Sequence, residues 1–181
     1  MKVVPTKIKD VLIIELDIFE DARGWFTESY NKEKLKKLGI DIDFVQDNHS
    51  FSKLRGTLRG LHFQNNPHPQ AKLTTCTRGA VLDVAVDLRK DSPTYKKWVA
   101  VELTEKNKKQ LLVPRGFAHG FITLTDNTEF QYKLDNYYKK ESDISIRFND
   151  PEIGVNWENE NPVLSEKDKN APFLKDSDVN F

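Results

Sequence analysis

A single cysteine, Cys76, among 181 residues excludes an internal disulfide and leaves no thiolate cluster for a metal. Such sparing use of cysteine is what a reducing cytoplasm favours. Long apolar runs are missing as well: nowhere do about eighteen apolar residues follow one another, so no membrane-spanning helix is expected. The N-terminal stretch MKVVPTKIKDVLIIEL lacks the cationic region and long apolar core of a secretory signal, its run VLII being cut by Glu15. Net charge is absent too, with 28 Lys plus Arg against 28 Asp plus Glu. The chain therefore has no overall field to recruit nucleic acid or an anionic membrane, and any anion must be caught by local cations. Internal repeats, linkers and low-complexity segments do not occur.

What is present is enough apolar residue, 38% of the chain, to build one core, and residues 1–181 read as a single domain. Most of it reads as strands. VLIIEL (11–16), GWFTESY (24–30), DFVQDNHSF (43–51), TLRGLHFQ (57–64), AKLTTCT (71–77), AVLDVAVDL (80–88), KWVAVEL (97–103), KQLLVP (109–114), GFITLT (120–125), TEFQYKL (128–134) and ISIRF (144–148) are short and rich in β-branched and aromatic residues. Gly, Pro, Asn and Asp punctuate them as in a sandwich or barrel. One helix is clear in NKEKLKKLG, with Asn31 as N-cap and Gly39 as terminator, and a helical turn capped by Ser165 is expected in SEKDKN. A loop-rich tail follows.

Strand AVLDVAVDL sets Leu82, Val84, Val86 and Leu88 on one face and Val81, Asp83, Ala85 and Asp87 on the other. A half-polar face in a small barrel suggests a lined cavity; the alternative is that this face meets water. In RGLHFQ, strict alternation groups His62 with Gly60 and Gln64, and Arg59 with Leu61 and Phe63. If Arg59 and His62 serve one site, a bulge or kink near Gly60 must re-aim one of them. A second histidine, His119, lies in VPRGFAHGF. Metal-binding cupins carry a His-x-His pair followed by a carboxylate, but Gln64 stands two residues after His62, and Phe121 two after His119. Neither histidine has the spacing of a facial metal triad, so no metal is expected.

The motifs DARGWFTESY, FVQDNHS, LRGLHFQ, PQAKL, GAVLDVAVDLRKDSPTY, LLVPRGFAHGF, EFQYKLDNYY and WENENPVLSEKD succeed one another over nearly the whole chain. Together they resemble the dTDP-4-dehydrorhamnose 3,5-epimerase family, cupin-fold enzymes of dTDP-rhamnose biosynthesis for cell-surface polysaccharide. The resemblance implies an all-β cupin jelly-roll barrel (a double-stranded β-helix) with N-terminal strand additions and a few short helices. It implies a cytoplasmic isomerase without a cofactor, acting on dTDP-4-keto-6-deoxyglucose.

Epimerising a carbon beside a ketone needs a base, an oxyanion stabiliser and an acid on the opposite face. By resemblance, His62 is the proton acceptor, Asp168 its partner, Lys72 the cation beside the C4 oxygen and Tyr132 the proton donor. Asp83 is expected to line the same cavity and to orient Lys72 or His62. Arg23, Phe26, Glu28, Gln46, Asn48, Arg59, His119 and Lys167 match the family's binding positions, and Tyr138 stands where the family stacks the thymine ring. Asp143 occupies a substrate-contacting position where the family often has glutamate, with Glu141 as a substitute. The segment around Arg23 and Glu28 reaches a partner's site in the family, which implies a homodimer with shared sites. Three alternatives stay open: epimerisation at C3 or C5 alone, binding without turnover, and a metal-dependent cupin.

Overall fold

The computed structural model describes residues 1–181. Four short strands, β1 (Lys2–Pro5), β2 (Leu12–Glu15), β3 (Phe19–Asp21) and β4 (Gly24–Phe26), precede helix α1 (Lys32–Lys37). Eight strands follow: β5 (Gln46–Ser52), β6 (Leu58–Gln64), β7 (Lys72–Arg78), β8 (Ala80–Asp87), β9 (Trp98–Thr104), β10 (Gln110–Val113), β11 (Phe117–Thr123) and β12 (Thr128–Leu134). The chain ends with β13 (Asp143–Ser145), helix α2 (Glu166–Lys169) and two 3₁₀ turns at Lys140–Ser142 and Leu174–Asp176.

One antiparallel sheet has the order β1-β2-β10-β7-β12-β5 and the other β13-β6-β11-β8-β9. Strands β5 to β12 thus pass back and forth between two four-stranded layers, which is the cupin jelly-roll. The N-terminal strands extend the first layer, and β3–β4 stand apart as a two-stranded hairpin.

Alternation along each strand produces the layers. On β8, Val81 and Ala85 point into the barrel and pack with Leu111, Phe117, Phe121 and Phe130 from both sheets. Val84, Val86 and Leu88 point out, where the tail covers them with Ile153, Trp157 and Leu174. The half-polar face of β8 is therefore the inner one, and both Asp83 and Asp87 are fully buried. On the other sheet, Ile14, Leu73 and Leu112 are covered by Leu35 and Ile40 of the α1 region. Asn31 caps α1 by accepting from Lys34 N at 3.0 Å, and Ser165 caps α2.

Several boundaries differ from the pattern expected. The strand expected at 120–125 begins at Phe117, directly after the turn at Gly116 (φ +84°), so His119 lies inside it. GWFTESY is extended only through Phe26, after which the Thr27 hydroxyl donates to Asp17 O and the chain turns toward α1. In ISIRF the strand ends at Ser145, although Ile146 still exchanges two backbone bonds with Leu61. Strands β1 and β3 are too short and mixed in polarity for periodicity to have found them.

The kink required near Gly60 is present. His119 pairs with His62 and Phe121 with Arg59, so Gly60 and Leu61 together oppose the single residue Gly120. This bulge turns Arg59 and His62 to the same, inner face while Leu58, Leu61 and Phe63 remain in the outer core. Only glycine fits the crossing. Gly60 has φ +137°, and a Cβ on it would lie 2.6 Å from Gly120 Cα. Gly60→Ala is expected to cost about 2 kcal/mol or more, a fall of roughly 4–8 °C in Tm for a chain of this size. Gly154→Ala, also at positive φ but with nothing within 4 Å, should cost distinctly less in the same thermal melts.

Candidate active site

Where the apolar filling of the barrel stops, a cavity of about 670 Å³ opens between the sheets. His62 and Arg59 of β6 and His119 of β11 form one wall. Lys72 of β7, Tyr132 of β12 and Gln46 and Asn48 of β5 form the other, and Tyr138, Asp143, Lys167 and Asp168 close the mouth. Eleven residues singled out in the sequence, scattered from Gln46 to Asp168, thus share one space.

His62 Nε2 lies 2.5 Å from Asp168 Oδ1, in a pair whose carboxylate is almost wholly buried. The short helix α2 aims that carboxylate. Ser165 caps it by accepting from Asp168 N at 3.1 Å, and its hydroxyl donates to Asp168 Oδ2 at 2.8 Å. Burial works to raise the Asp168 pKa, but the hydrogen bond and charge of His62, together with Ser165, hold it below the usual carboxylate range. An ionised Asp168 accepts a hydrogen bond from Nε2–H, which fixes the tautomer and leaves the other ring nitrogen unprotonated.

Lys72 sits within the opposite sheet, 8% exposed, with Nζ donating to the His62 carbonyl at 3.4 Å. Burial lowers its pKa to about 8, against a partial counter-effect from Asp83 and Asp143. It forms no ion pair, so at neutral pH the cavity holds a desolvated cation able to meet a developing oxyanion. Arg59 is likewise unpaired with any carboxylate: its Nε donates to Ser52 Oγ and its NH2 to Phe51 O, which fix the guanidinium at the rim. An arginine braced in this way presents its remaining donors to an anion.

Asp83 does not hydrogen-bond Lys72 or His62, as had been expected. Its two oxygens are taken by His119 Nε2 at 2.6 Å and by the Thr74 hydroxyl at 2.6 Å. Burial lowers the His119 pKa and, with Lys72 and His62 adding to it, outweighs the charge and hydrogen bond of Asp83 that work to raise it, so a neutral His119 donates to Asp83. Thr74 was not anticipated; its place two residues after Lys72, on the same strand face, is the signal that would have found it. Ser165 was read only as a cap, and its second role depends on where α2 docks.

Tyr132 projects from β12, an interior strand between β7 and β5. Tyr132 and His62 belong to opposite sheets and face the cavity from opposite walls. Asp143 accepts from Lys167 Nζ at 2.6 Å and from the Tyr138 hydroxyl at 3.2 Å. Glu141 is exposed and does not line the cavity. Arg23, Phe26 and Glu28 also lie outside it: Arg23 pairs with Asp21, Glu28 with Lys34, and Phe26 is exposed on the β3–β4 hairpin. No group of three His, Cys, Asp or Glu side chains is arranged to hold a metal ion.

Nearly the whole chain has known relatives. The model of the family described as dTDP-4-dehydrorhamnose 3,5-epimerase matches residues 5–176. The enzyme of that name from Salmonella typhimurium is 52% identical over 176 residues, covering 96% of each chain. Its counterpart from Bacillus anthracis, solved with TDP and PPi bound, superposes with a TM-score of 0.93 at 50% identity, covering 96% of this chain and 99% of that one. The Legionella pneumophila enzyme, solved in complex with dTDP-4-keto-L-rhamnose, gives a TM-score of 0.93 at 44% identity, over 98% and 94% of the two chains. Similar to these enzymes along nearly its full length, the chain belongs to the dTDP-4-dehydrorhamnose 3,5-epimerase family.

Proposed function

We propose that this protein epimerises dTDP-4-keto-6-deoxy-D-glucose at C3 and C5, giving dTDP-4-keto-L-rhamnose by proton transfer beside the C4 ketone. The observation that carries this reading is the opposition of His62, tied to Asp168 at 2.5 Å, to Tyr132 across one cavity. His62 removes the α-proton from one face of the ring. The enolate oxygen that forms is held by Lys72, and Tyr132 returns a proton to the other face. Once His62 has lost its proton to solvent and Tyr132 has regained one, repetition at the second carbon completes the double inversion.

Arg59, Lys167 and the neutral His119 then serve the nucleotide diphosphate and sugar, with Gln46 and Asn48 beside them. Tyr138, 54% exposed at the mouth, offers a face for the thymine ring. A nucleotide handle of this kind supplies binding energy remote from the reacting carbons.

The same reading makes the molecule a cytoplasmic homodimer of one-domain chains. The β3–β4 hairpin exposes Phe19, Trp25 and Phe26 on a part that packs on little of its own chain, as an arm that docks on a second copy would. Arg23 at its tip and Glu28 beyond it would then complete the partner's cavity. Cys76 is buried and its thiol is pushed up to about 12, as suits an inert core residue of a cytoplasmic protein.

Proton NMR of the keto sugar nucleotide in D2O tests the activity. Solvent deuterium is expected at both C3 and C5, with formation of the L-rhamno product. In Tyr132→Phe, exchange at C3 should persist while that product is lost, because abstraction no longer leads to delivery on the far face. Exchange confined to one carbon in the unaltered protein would reduce the assignment to a mono-epimerase.

A second expectation concerns pH. Because kcat/KM reports the free enzyme, it should fall above an apparent pKa of about 8 as Lys72 loses its proton. Lys72→Arg, charged at every accessible pH, should remove that alkaline limb while lowering kcat at pH 7. Persistence of the limb in the variant would assign it to another group.

Shared sites are open to complementation. Arg23→Ala and His62→Ala chains, each inactive alone, should regain activity when co-expressed, since a mixed dimer holds one site with both residues intact. Two inactive chains that stay inactive together would show that Arg23 does not complete the partner's cavity.

A further inference from the structure

Gln64 stands two residues after His62, where metal-binding cupins carry a ligand, and it is 2% exposed. Nothing in the proton-transfer scheme uses it. Its amide nevertheless has a full set of partners. Oε1 accepts from the backbone N–H of Lys139 at 2.6 Å, while Nε2 donates to the backbone carbonyls of Tyr137 at 3.2 Å and His68 at 2.7 Å.

Lys139 and Tyr137 are the two neighbours of Tyr138, so one amide brackets that residue from both sides. The N–H of Tyr138 is in turn accepted by Gln46 Oε1 at 3.2 Å. Backbone of β13, the next strand, pairs with β6 at Asp143–Gln64, which carries the Tyr138 partner Asp143 on the same frame. The loop around Tyr137–Lys139 has no regular structure of its own. Side-chain bonds therefore do for its backbone what a ladder does elsewhere.

We propose that Gln64 is a positioning residue: its carboxamide clamps the loop on either side of Tyr138 and so sets the angle at which that ring meets the nucleotide base. The inference rests on the reading of Tyr138 as the base-stacking residue. The chemistry is selective for a primary amide, since one group must accept from an N–H and donate to two carbonyls at once. Carboxylate can only accept, and an aliphatic side chain of similar size can do neither. This explains a polar residue buried two positions from a catalytic histidine without recourse to a metal.

The test is a double-mutant cycle of Gln64→Leu and Tyr138→Ala, with KM, kcat and the Kd for dTDP measured for each folded variant. Loss of the two bracketing bonds, each worth about 1 kcal/mol, predicts a rise in KM and Kd of up to about thirtyfold for Gln64→Leu, with kcat within about twofold. In the Tyr138→Ala background the same substitution should add little, because the ring it positions is gone. Gln64→Glu supplies a second readout that does not depend on the apolar variant folding. Its buried carboxylate faces two carbonyls and regains a donor only on protonation, so its Kd should worsen between pH 6 and 8 by roughly threefold more than that of the unaltered protein.

A Gln64→Leu effect that falls on kcat, or that simply adds to that of Tyr138→Ala, would overturn the proposal and leave Gln64 a structural residue. If Tyr138→Ala itself leaves KM and Kd unchanged, the stacking role fails first and the positioning role fails with it. If Tyr138→Ala weakens binding while neither Gln64 variant does, the positioning role alone is wrong.

Discussion

Two glycine backbones meet where β6 crosses β11, and the register of β6 depends on that meeting. Period-two alternation would send Arg59 and His62 to opposite faces of their sheet. The extra residue at Gly60–Leu61, opposed only by Gly120, restores both to the interior and leaves Leu58, Leu61 and Phe63 in the outer core. Side chains larger than hydrogen would separate the strands there, because the approach is already 2.6 Å to a hypothetical Cβ. From that bulge follow the pairing of His62 with His119 in register, the reach of His62 to Asp168, and the convergence of cations from both sheets.

The cavity this creates is electrostatically layered. Asp168 and Asp83, both buried, are each held by short hydrogen bonds to a histidine and a hydroxyl, Ser165 in one case and Thr74 in the other. The two arrangements differ in what the imidazole faces. One histidine is 32% exposed on its side chain and open to the cavity, whereas the other is almost enclosed and kept neutral by burial. Lys72 stands between as a cation whose burial works against its charge. Its pKa, depressed from 10.5 to about 8, means that the fold binds fewer protons than the unfolded chain between those limits. Stability consequently rises with pH across that window, and at pH 7 the charged lysine costs folding free energy, a functional group held against the preference of the core.

Support comes from segments far from the chemistry. The C-terminal tail covers the outer face of β6, β8 and β11 with Trp157, Ile153 and Leu174, and the same tail delivers α2 and Asp168 to the cavity mouth. Asp87, at the C-terminal end of β8, takes Arg89, Ser92 and Thr94 and is held at a pKa of about 2: burial alone would raise it, but these hydrogen bonds outweigh it. Both buried aspartates of β8 are thus satisfied, one for the site and one for the loop.

Much of the fold was written in local pattern. The β-branched runs between Gly, Pro and Asn, the caps Asn31 and Ser165, and the half-polar face of β8 depend on near neighbours, and they determined an all-β barrel with a polar interior. The demand for a kink at Gly60 was equally local, because two polar residues three apart cannot share a strand face without one. Family motifs gathered the candidate residues, yet spacing could not say which would meet. Only the tertiary structure decided that Asp83 serves His119 and not Lys72, that His119 lies within β11, and that the hairpin bearing Arg23 and Phe26 stands outside its own cavity. The reason is physical: a hydrogen bond of 2.6 Å between residues 36 positions apart is set by the register of two strands, and that register is set by the packing of all the others.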